Sequence, residues 1–457
     1  MNAVALALRS VSLFERPVML RLPFRFGAAT VTHCPQAFVR VEAEIGGRRV
    51  VGATAELMVP KWFDKSPQWT HEQNFEQLRE ALRIACDVYS QADAPMTPWM
   101  LAATQGELAV AHAQSRGLPR LVAQFGAALL DKAIGDAALR GAGCDWVTGV
   151  QAGVLGDPFS GQLKLVATPD VWLRHTVGLA DRLTPNEPGP EPADGLPATL
   201  QDAITANGLC YFKLKLQGRA DADIERLSRI AAVLDATAVD WRVTLDGNES
   251  FSDTQALAGF WQQLAASPAL KVLRQRTLLL EQPLPRLVAL SESLSKLDID
   301  VPIILDESDD HAEAFEEGIA LGYRGISSKA CKGIYRSLQN AVRVAQEPHR
   351  LLLSGEDLTC QAGLAVQQDT LLAASLGVMH IERNGHHYVD GFGIAPQAEA
   401  RAFGLAHAGF YAETDSAVSG SRHRLAPRGG KLDLRTLHTP GFASAAMPLW
   451  DTLTPIT

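Results

Sequence analysis

Five short apolar stretches of this chain each end on charged residues. In order they are YFKLKLQG with Lys213 and Lys215, VTLDGN with Asp246, LLLEQP with Glu281, IILDES with Asp306 and GISSKACK with Lys329. Burying charge is costly, so three carboxylates at the tips of apolar strands need a counter-charge. A divalent cation between them meets that need, and oxygen-only ligands fit Mg²⁺, with Mn²⁺ as the alternative. Such an ion acts as a Lewis acid on a substrate carboxylate and stabilises the charge that builds when its α-proton leaves. A strand alternates its faces, so Lys213 and Lys215 point the same way. Lys329 ends a later stretch and is the candidate proton acceptor opposite Lys215. A lysine is a base only when neutral, and burial together with a nearby cation favours that form.

Each residue alone has a plainer reading. A KxK pair marks many half-exposed strands, an Asp often caps a helix or opens a turn, and Lys329 sits beside Lys332 as loop lysines do. The set resists that reading because of its rhythm. The intervals are 31, 35, 25 and 23 residues (215, 246, 281, 306, 329), each about one strand plus one helix with their loops. Parallel barrels carry their chemistry at the C-terminal ends of such strands.

The elements that must hold these residues follow from the same pattern. WLRHTVGLA (172–180), YFKLKL, WRVTLD, TLLLEQ, PIILDE, GISSK, RLLLSGED and GVMHIER make eight strand candidates with helical stretches between. Prolines 185, 188, 190, 192 and 197 make the connection after the first a stiff, exposed loop. Before the barrel, residues 1–60 alternate apolar and polar positions, and Gly46-Gly47 signals a hairpin. Phe75, Leu78, Leu82, Ala85 and Tyr89 form one face of an amphipathic helix. A more buried helix is expected around 121–141, and the rhythm is lost after about 396.

The bulk numbers are those of an ordinary globular protein, 47% hydrophobic and 20% charged over 457 residues. A net charge of −9 argues against a broad footprint for nucleic acid or an anionic membrane. No apolar run reaches membrane-span length, and the N-terminus lacks a signal-peptide pattern. Cys34, Cys86, Cys144, Cys210, Cys331 and Cys360 are scattered, as reduced thiols of a cytoplasmic protein are.

The order KLK, LDGN, LEQP, LDES and SKACKG resembles the mandelate racemase/muconate lactonizing enzyme family of the enolase superfamily, in its two-lysine, muconate lactonizing-like subgroup. The resemblance covers most of the chain. It implies an α/β fold: a modified TIM barrel, (β/α)7β, with an α+β capping domain formed by the N-terminal part and the C-terminal segment. The expected divisions are 1–165 for the cap, 166–395 for the barrel and 396–457 for the segment that returns to the cap. By the same resemblance Asp246, Glu281 and Asp306 are metal ligands, Lys215 and Lys329 are the acid/base pair, and Lys213 holds the substrate carboxylate and tunes Lys215. The implied reaction is Mg²⁺-dependent abstraction of an α-proton through an enediolate. Two lysines on opposite faces suit a racemase or epimerase, and a lyase (cycloisomerase or dehydratase of a hydroxy acid) keeps the same site. A Schiff-base barrel or a non-catalytic protein are the distant alternatives. The expected partner is a small-molecule carboxylate, in a homo-oligomer without nucleic acid or membrane.

Departures bear on the substrate. Dipeptide epimerases of the subgroup carry Asp-x-Asp after the eighth strand, where this chain has HIERNGHHY, so a dipeptide is in doubt. Glu356, Glu382 and Asn384 at the last two strand ends are candidate substrate contacts, with a rim salt bridge or turn as the plain alternative. His175 reads as a core histidine, and His386 and His387 as loop residues. The segments PFRFGAATVTH (23–33) and VPKWFDKSP (59–67) resemble loops that close over substrate, with Trp62 and Phe63 either lid or domain packing.

Overall fold

The computed structural model describes residues 3–236, 240–358, 361–416 and 420–457. The alternating N-terminal region becomes three antiparallel strands, β1 (Ala7–Phe26), β2 (Ala29–Ile45) and β3 (Arg48–Leu57). Gly46 and Gly47 turn the chain with φ of 56° and 77°, the left-handed pair that a two-residue hairpin demands. An irregularity in the β1–β2 register between Met19 and Phe24 sets off the hairpin tip from the rest of the ribbon.

The helix His71–Tyr89 starts at a capping box in which Thr70 and Gln73 satisfy each other's backbone N–H. Its expected apolar face is buried throughout. The second helix, Arg120–Ala142, is buried nearly all round. The two pack almost backbone to backbone at Gly126, where a Cβ would stand 2.1 Å from the Ala81 carbonyl oxygen.

The eight expected strands form a closed parallel ring: β4 (Asp170–Val177), β5 (Tyr211–Lys215), β6 (Arg242–Asp246), β7 (Thr277–Glu281), β8 (Ile303–Leu305), β9 (Gly325–Ser328), β10 (Leu352–Gly355) and β11 (His380–Glu382). Pairing of His380, Ile381 and Glu382 with Trp172, Leu173 and Arg174 closes it. Helices occupy the seven connections, from Leu200–Asn207 after β4 to Leu364–Ser375 before β11. The architecture is the modified TIM barrel with a separate N-terminal sheet domain.

The long interval before Glu281 is taken up by a second short helix, Lys271–Gln275, ahead of β7. β4 runs over 170–177 rather than 172–180, because Gly178 turns the chain with its N–H on Asp181 Oδ2 at 2.7 Å. The Pro-rich connection is anchored as well as stiff. Arg182 donates to the carbonyls of Pro185 and Pro190, and Arg21 of β1 binds Asp194 at 2.6 Å.

The chain end serves both bodies. A helix Gln397–Ala406 and a hairpin of β12 (Tyr411–Ser416) and β13 (Gly420–Leu425) lead to β14 (Lys431–Asp433), antiparallel to the start of β4. β15 (Thr454–Pro455) then pairs with Glu15 and Phe14 of β1. Cys34, Cys86, Cys144, Cys210 and Cys331 are free thiols, while Cys360 lies outside the described residues. No described helix is long and apolar enough to cross a membrane.

Candidate active site

Period-2 alternation turns Lys213 and Lys215 inward from β5, where they are 1% and 7% exposed. Lys215 is in register with Asp246, and Asp246 with Glu281, so three charged residues lie in one row across β5, β6 and β7. Asp306 follows β8 directly, and Lys329 follows β9. In a ring of eight strands, β5 and β9 are four apart in either direction, so Lys215 and Lys329 rise from opposite walls. The three carboxylates end the strands between them.

Lys213 is the hub. Its Nζ lies 2.9 Å from Asp246, 2.6 Å from Glu281, 2.5 Å from Glu356 and 3.0 Å from Glu382. Lys215 binds Asp246 Oδ2 at 2.6 Å, and Lys329 binds Asp306 Oδ2 at 2.6 Å. Lys332, read as a loop lysine, is buried and donates to Ser327 Oγ at 2.8 Å, while Ser327 donates to Asp306.

The charges set one another's protonation. Burial works against the charged form of Asp306, but Lys329 and Lys332 outweigh it and hold its pKa far below the ordinary value. Asp246 is likewise lowered, with Lys213 and Lys215 overcoming burial. Glu281 goes the other way. Burial, then the neighbouring Asp246 and Glu356, push its carboxyl well above the usual range. Burial pulls Lys213 and Lys329 down, yet the carboxylates around each raise both. Without a cation on the carboxylates, the contact of Lys329 with Asp306 outweighs burial and favours its ammonium form.

Whether these residues suit a divalent cation can be tested on their own bonding. Among the described residues, no three Asp, Glu, His or Cys side chains converge as they stand tightly enough to hold a metal. The ammonium groups of Lys213, Lys215 and Lys329 engage the carboxylates instead. Glu281 is nevertheless orphaned: both oxygens are buried and neither accepts a hydrogen bond, with Lys213 supplying only its nearby charge. An oxygen-rich rim with one unsatisfied carboxylate suits a hard cation.

Local backbone strain marks the same rim. Asn248, Glu249 and Gln282 have φ of 42°, 64° and 31° just after Asp246 and Glu281. Gly247 allows the approach, since a Cβ there would meet Pro283 Cα at 2.5 Å. Asn248 N–H caps Asp246 Oδ1 at 2.8 Å, and Gln282 Oε1 accepts from Asp306 N–H at 2.8 Å. These struts lock two of the three carboxylates in place.

A chamber of about 20 Å³ lies between Lys215 and Lys329, roofed by Phe24, Phe26 and Trp62. Lys215 Nζ is 5.8 Å from the centroids of both phenyl rings, and Lys329 Nζ is 4.2 Å from that of Trp62. Trp62 is thus roof, while Phe63 packs against Phe125 in the cap. Glu382 lines the chamber, but Glu356 and Asn384 do not. Glu356 is tied to Arg174 and Lys213, and Asn384 binds Glu382 at 2.9 Å. Lys213 also lies outside the lining, beneath the carboxylates. His175 is a buried core residue, 3.0 Å from His386, and His386 and His387 are loop residues that are themselves buried.

Sequence reasoning missed Arg174, Asn248 and Gln282. Arg174 carried a legible signal: with Thr176 it makes the same inward alternation on β4 that Lys213 and Lys215 make on β5. Asn248 and Gln282 did not, because their roles depend on backbone angles.

No family model matches the chain, and no curated protein matches it in sequence. Solved structures do. A muconate lactonizing enzyme from Mycobacterium smegmatis, complexed with muconolactone, superposes over 98% of this chain and 99% of its own, at 16% identity and a TM-score of 0.62. A mandelate racemase/muconate lactonizing protein from Herpetosiphon aurantiacus covers 96% and 99%, at 16% identity and 0.61. An N-succinyl Arg/Lys racemase from Bacillus cereus covers 94% and 98%, at 14% identity and 0.58. At such identities the likeness establishes a shared fold, the capped eight-strand barrel, across nearly the whole of each chain.

Proposed function

We propose that this protein is an enzyme of the enolase superfamily that removes the α-proton of a small carboxylate substrate with the help of a divalent cation, Mg²⁺ or Mn²⁺. The carrying observation is the pair Lys215 and Lys329, on opposite barrel walls and facing one chamber, with Asp246, Glu281 and Asp306 on the strands between. One lysine, as the free amine, takes the proton from Cα; the other, as an ammonium ion, returns one to the opposite face. The substrate then leaves with its configuration inverted and the pair has exchanged one proton. Which of the two starts as base and which as acid is set by the direction of the reaction.

Asp246, Glu281 and Asp306 would hold the cation, which supplies positive charge for the substrate carboxylate and for the negative charge that builds on it. Lys213 keeps Asp246 and Glu281 together from below, and its place under them makes it a positioning residue. Phe24, Phe26 and Trp62 exclude water from the chamber. The chamber has room for about one water molecule, so substrate entry requires this roof to lift.

The runner-up is a lyase on the same site, a cycloisomerase or a dehydratase. Neighbours of this fold include proteins named as racemases and as lactonizing enzymes, so product analysis decides. The test is Mg²⁺-dependent deuterium incorporation at Cα, followed by NMR across acid sugars, N-acyl amino acids and dicarboxylates. Lys329→Met and Lys215→Met are each expected to slow exchange by about 10³–10⁴-fold, and a chelator should abolish it. Undiminished exchange in the double variant would sink the proposal.

A further inference from the structure

Above the roof lies a second and much larger cavity, of about 890 Å³. It abuts the chamber at Phe26 and Asn248, which line both. Its walls come from the β1–β2 hairpin tip, the segment around 61–67 and the loops after β5 and β6.

The charge of these walls runs against that of the whole chain. The protein carries 42 basic and 51 acidic residues. The cavity is lined by Arg25, Lys61, Lys65 and Arg219 against a single carboxylate, Glu249. That carboxylate is already neutralised, by Lys65 at 2.7 Å and Arg286 at 2.8 Å. Among the described residues, neither Arg25 nor Arg219 forms an ion pair with a carboxylate; Arg219 donates to Gln217 Oε1 at 2.8 Å. Both are exposed side chains reaching into a concave space, one from the cap and one from the barrel. Two guanidinium groups that line one cleft without a carboxylate partner favour an anion there.

We infer that the substrate carries a second anionic group, a carboxylate or a phosphate, which Arg25 and Arg219 receive in the outer cavity while its first carboxylate reaches the chamber. The cap supplies one arginine and the barrel the other, so an anion between them also draws the hairpin tip down toward the rim. Monocarboxylates of the same size would lack that contact. The inference rests on the proposed reaction for its naming of the ligand as substrate, but the anion site stands or falls separately.

The test uses the full chain, metal-free, at low ionic strength. Inorganic phosphate and glutarate are titrated separately by calorimetry into wild type, Arg25→Gln/Arg219→Gln and Lys329→Met. The double arginine variant is expected to bind at least one probe about tenfold or more weakly, at unchanged Tm, while Lys329→Met binds as wild type does. Loss confined to phosphate or to glutarate identifies the group. Equal binding by wild type and the arginine variant, or loss in Lys329→Met instead, overturns the site. Absent α-proton exchange would sink the reaction and leave a positive binding result intact; equal binding would remove the outer site and leave the reaction.

Discussion

Two buried lysines show how differently this chain treats the same charge. In the cap, Lys132 is fully buried, meets Glu56 at 3.0 Å and donates to the Ala55 carbonyl at 3.2 Å. In the barrel, Lys213 is as deeply buried and meets four carboxylates. The first arrangement matches one cation to one anion and a carbonyl, and ties a helix to a strand. The second crowds anions until Glu281 has no hydrogen-bond donor and its proton is held tightly. A structural pair ends satisfied, whereas a site keeps one group in want of a partner.

Glu281→Gln separates these two meanings most widely. The amide resembles the protonated acid in shape, so it should relieve the crowding and stabilise the metal-free protein by about 1–2 kcal/mol. It should also slow α-proton exchange by about 10³-fold or more through loss of a cation ligand. Thermal melts with and without Mg²⁺, beside the exchange rate, check both. A variant that melts lower than wild type without metal would show Glu281 to be an ordinary structural partner.

Lys132→Met is the converse. It removes the buried ammonium group that faces Glu56 at 3.0 Å and should cost about 3–5 kcal/mol of stability. Denaturant unfolding measures that loss, and the exchange rate per folded molecule should be unchanged. A drop in that rate at constant stability would move Lys132 from scaffold to site.

A second cap carboxylate extends the contrast to pH. Asp131 is buried, and burial with a smaller push from Glu107 raises its pKa to about 8 despite the hydrogen bond from Tyr89. An acid raised above its unfolded value contributes fully below that value and loses the contribution as pH climbs to the folded one. The window therefore runs from the ordinary carboxyl value of 3.8 up to about 8. Relative to Asp131→Asn, wild type should lose on the order of 4 kcal/mol between about pH 5 and pH 8. Parallel unfolding curves for the two proteins across that range would refute it.

Much of this was legible beforehand because buried charge is conspicuous. A lysine or an aspartate at the end of an apolar run stands out, and the spacing of such ends carries the order of the strands. The partners of those charges were not legible. KLK predicts two inward lysines, yet nothing in it says that Lys213 lies beneath the carboxylates while Lys215 reaches the chamber; that depends on strand register and side-chain length. The partner of Glu356 was hidden because Arg174, which takes it up, stands 182 residues away in sequence, whereas Asn384 binds Glu382 only two residues before it. The last 60 residues hid their role for a simpler reason. β14 and β15 are three and two residues long, too short for any alternation to register.

The smallest effect belongs to the roof. Trp62 comes from the cap and sets its ring 4.2 Å from Lys329 Nζ. An aromatic face favours the ammonium form by about 1 kcal/mol at a partly desolvated site. Trp62→Leu keeps an apolar roof and removes that preference, so Lys329 should lose its proton somewhat more easily. Exchange with Lys329 as base should then have its rising pH limb displaced to lower pH by less than about one unit. The limb that requires Lys329 as acid should move the same way. A variant that lowers both rates without moving either limb would assign Trp62 to water exclusion alone. In that case the cap would seal the barrel chemistry without tuning its charges, and the division between the two regions would be sharper than the ring contact suggests.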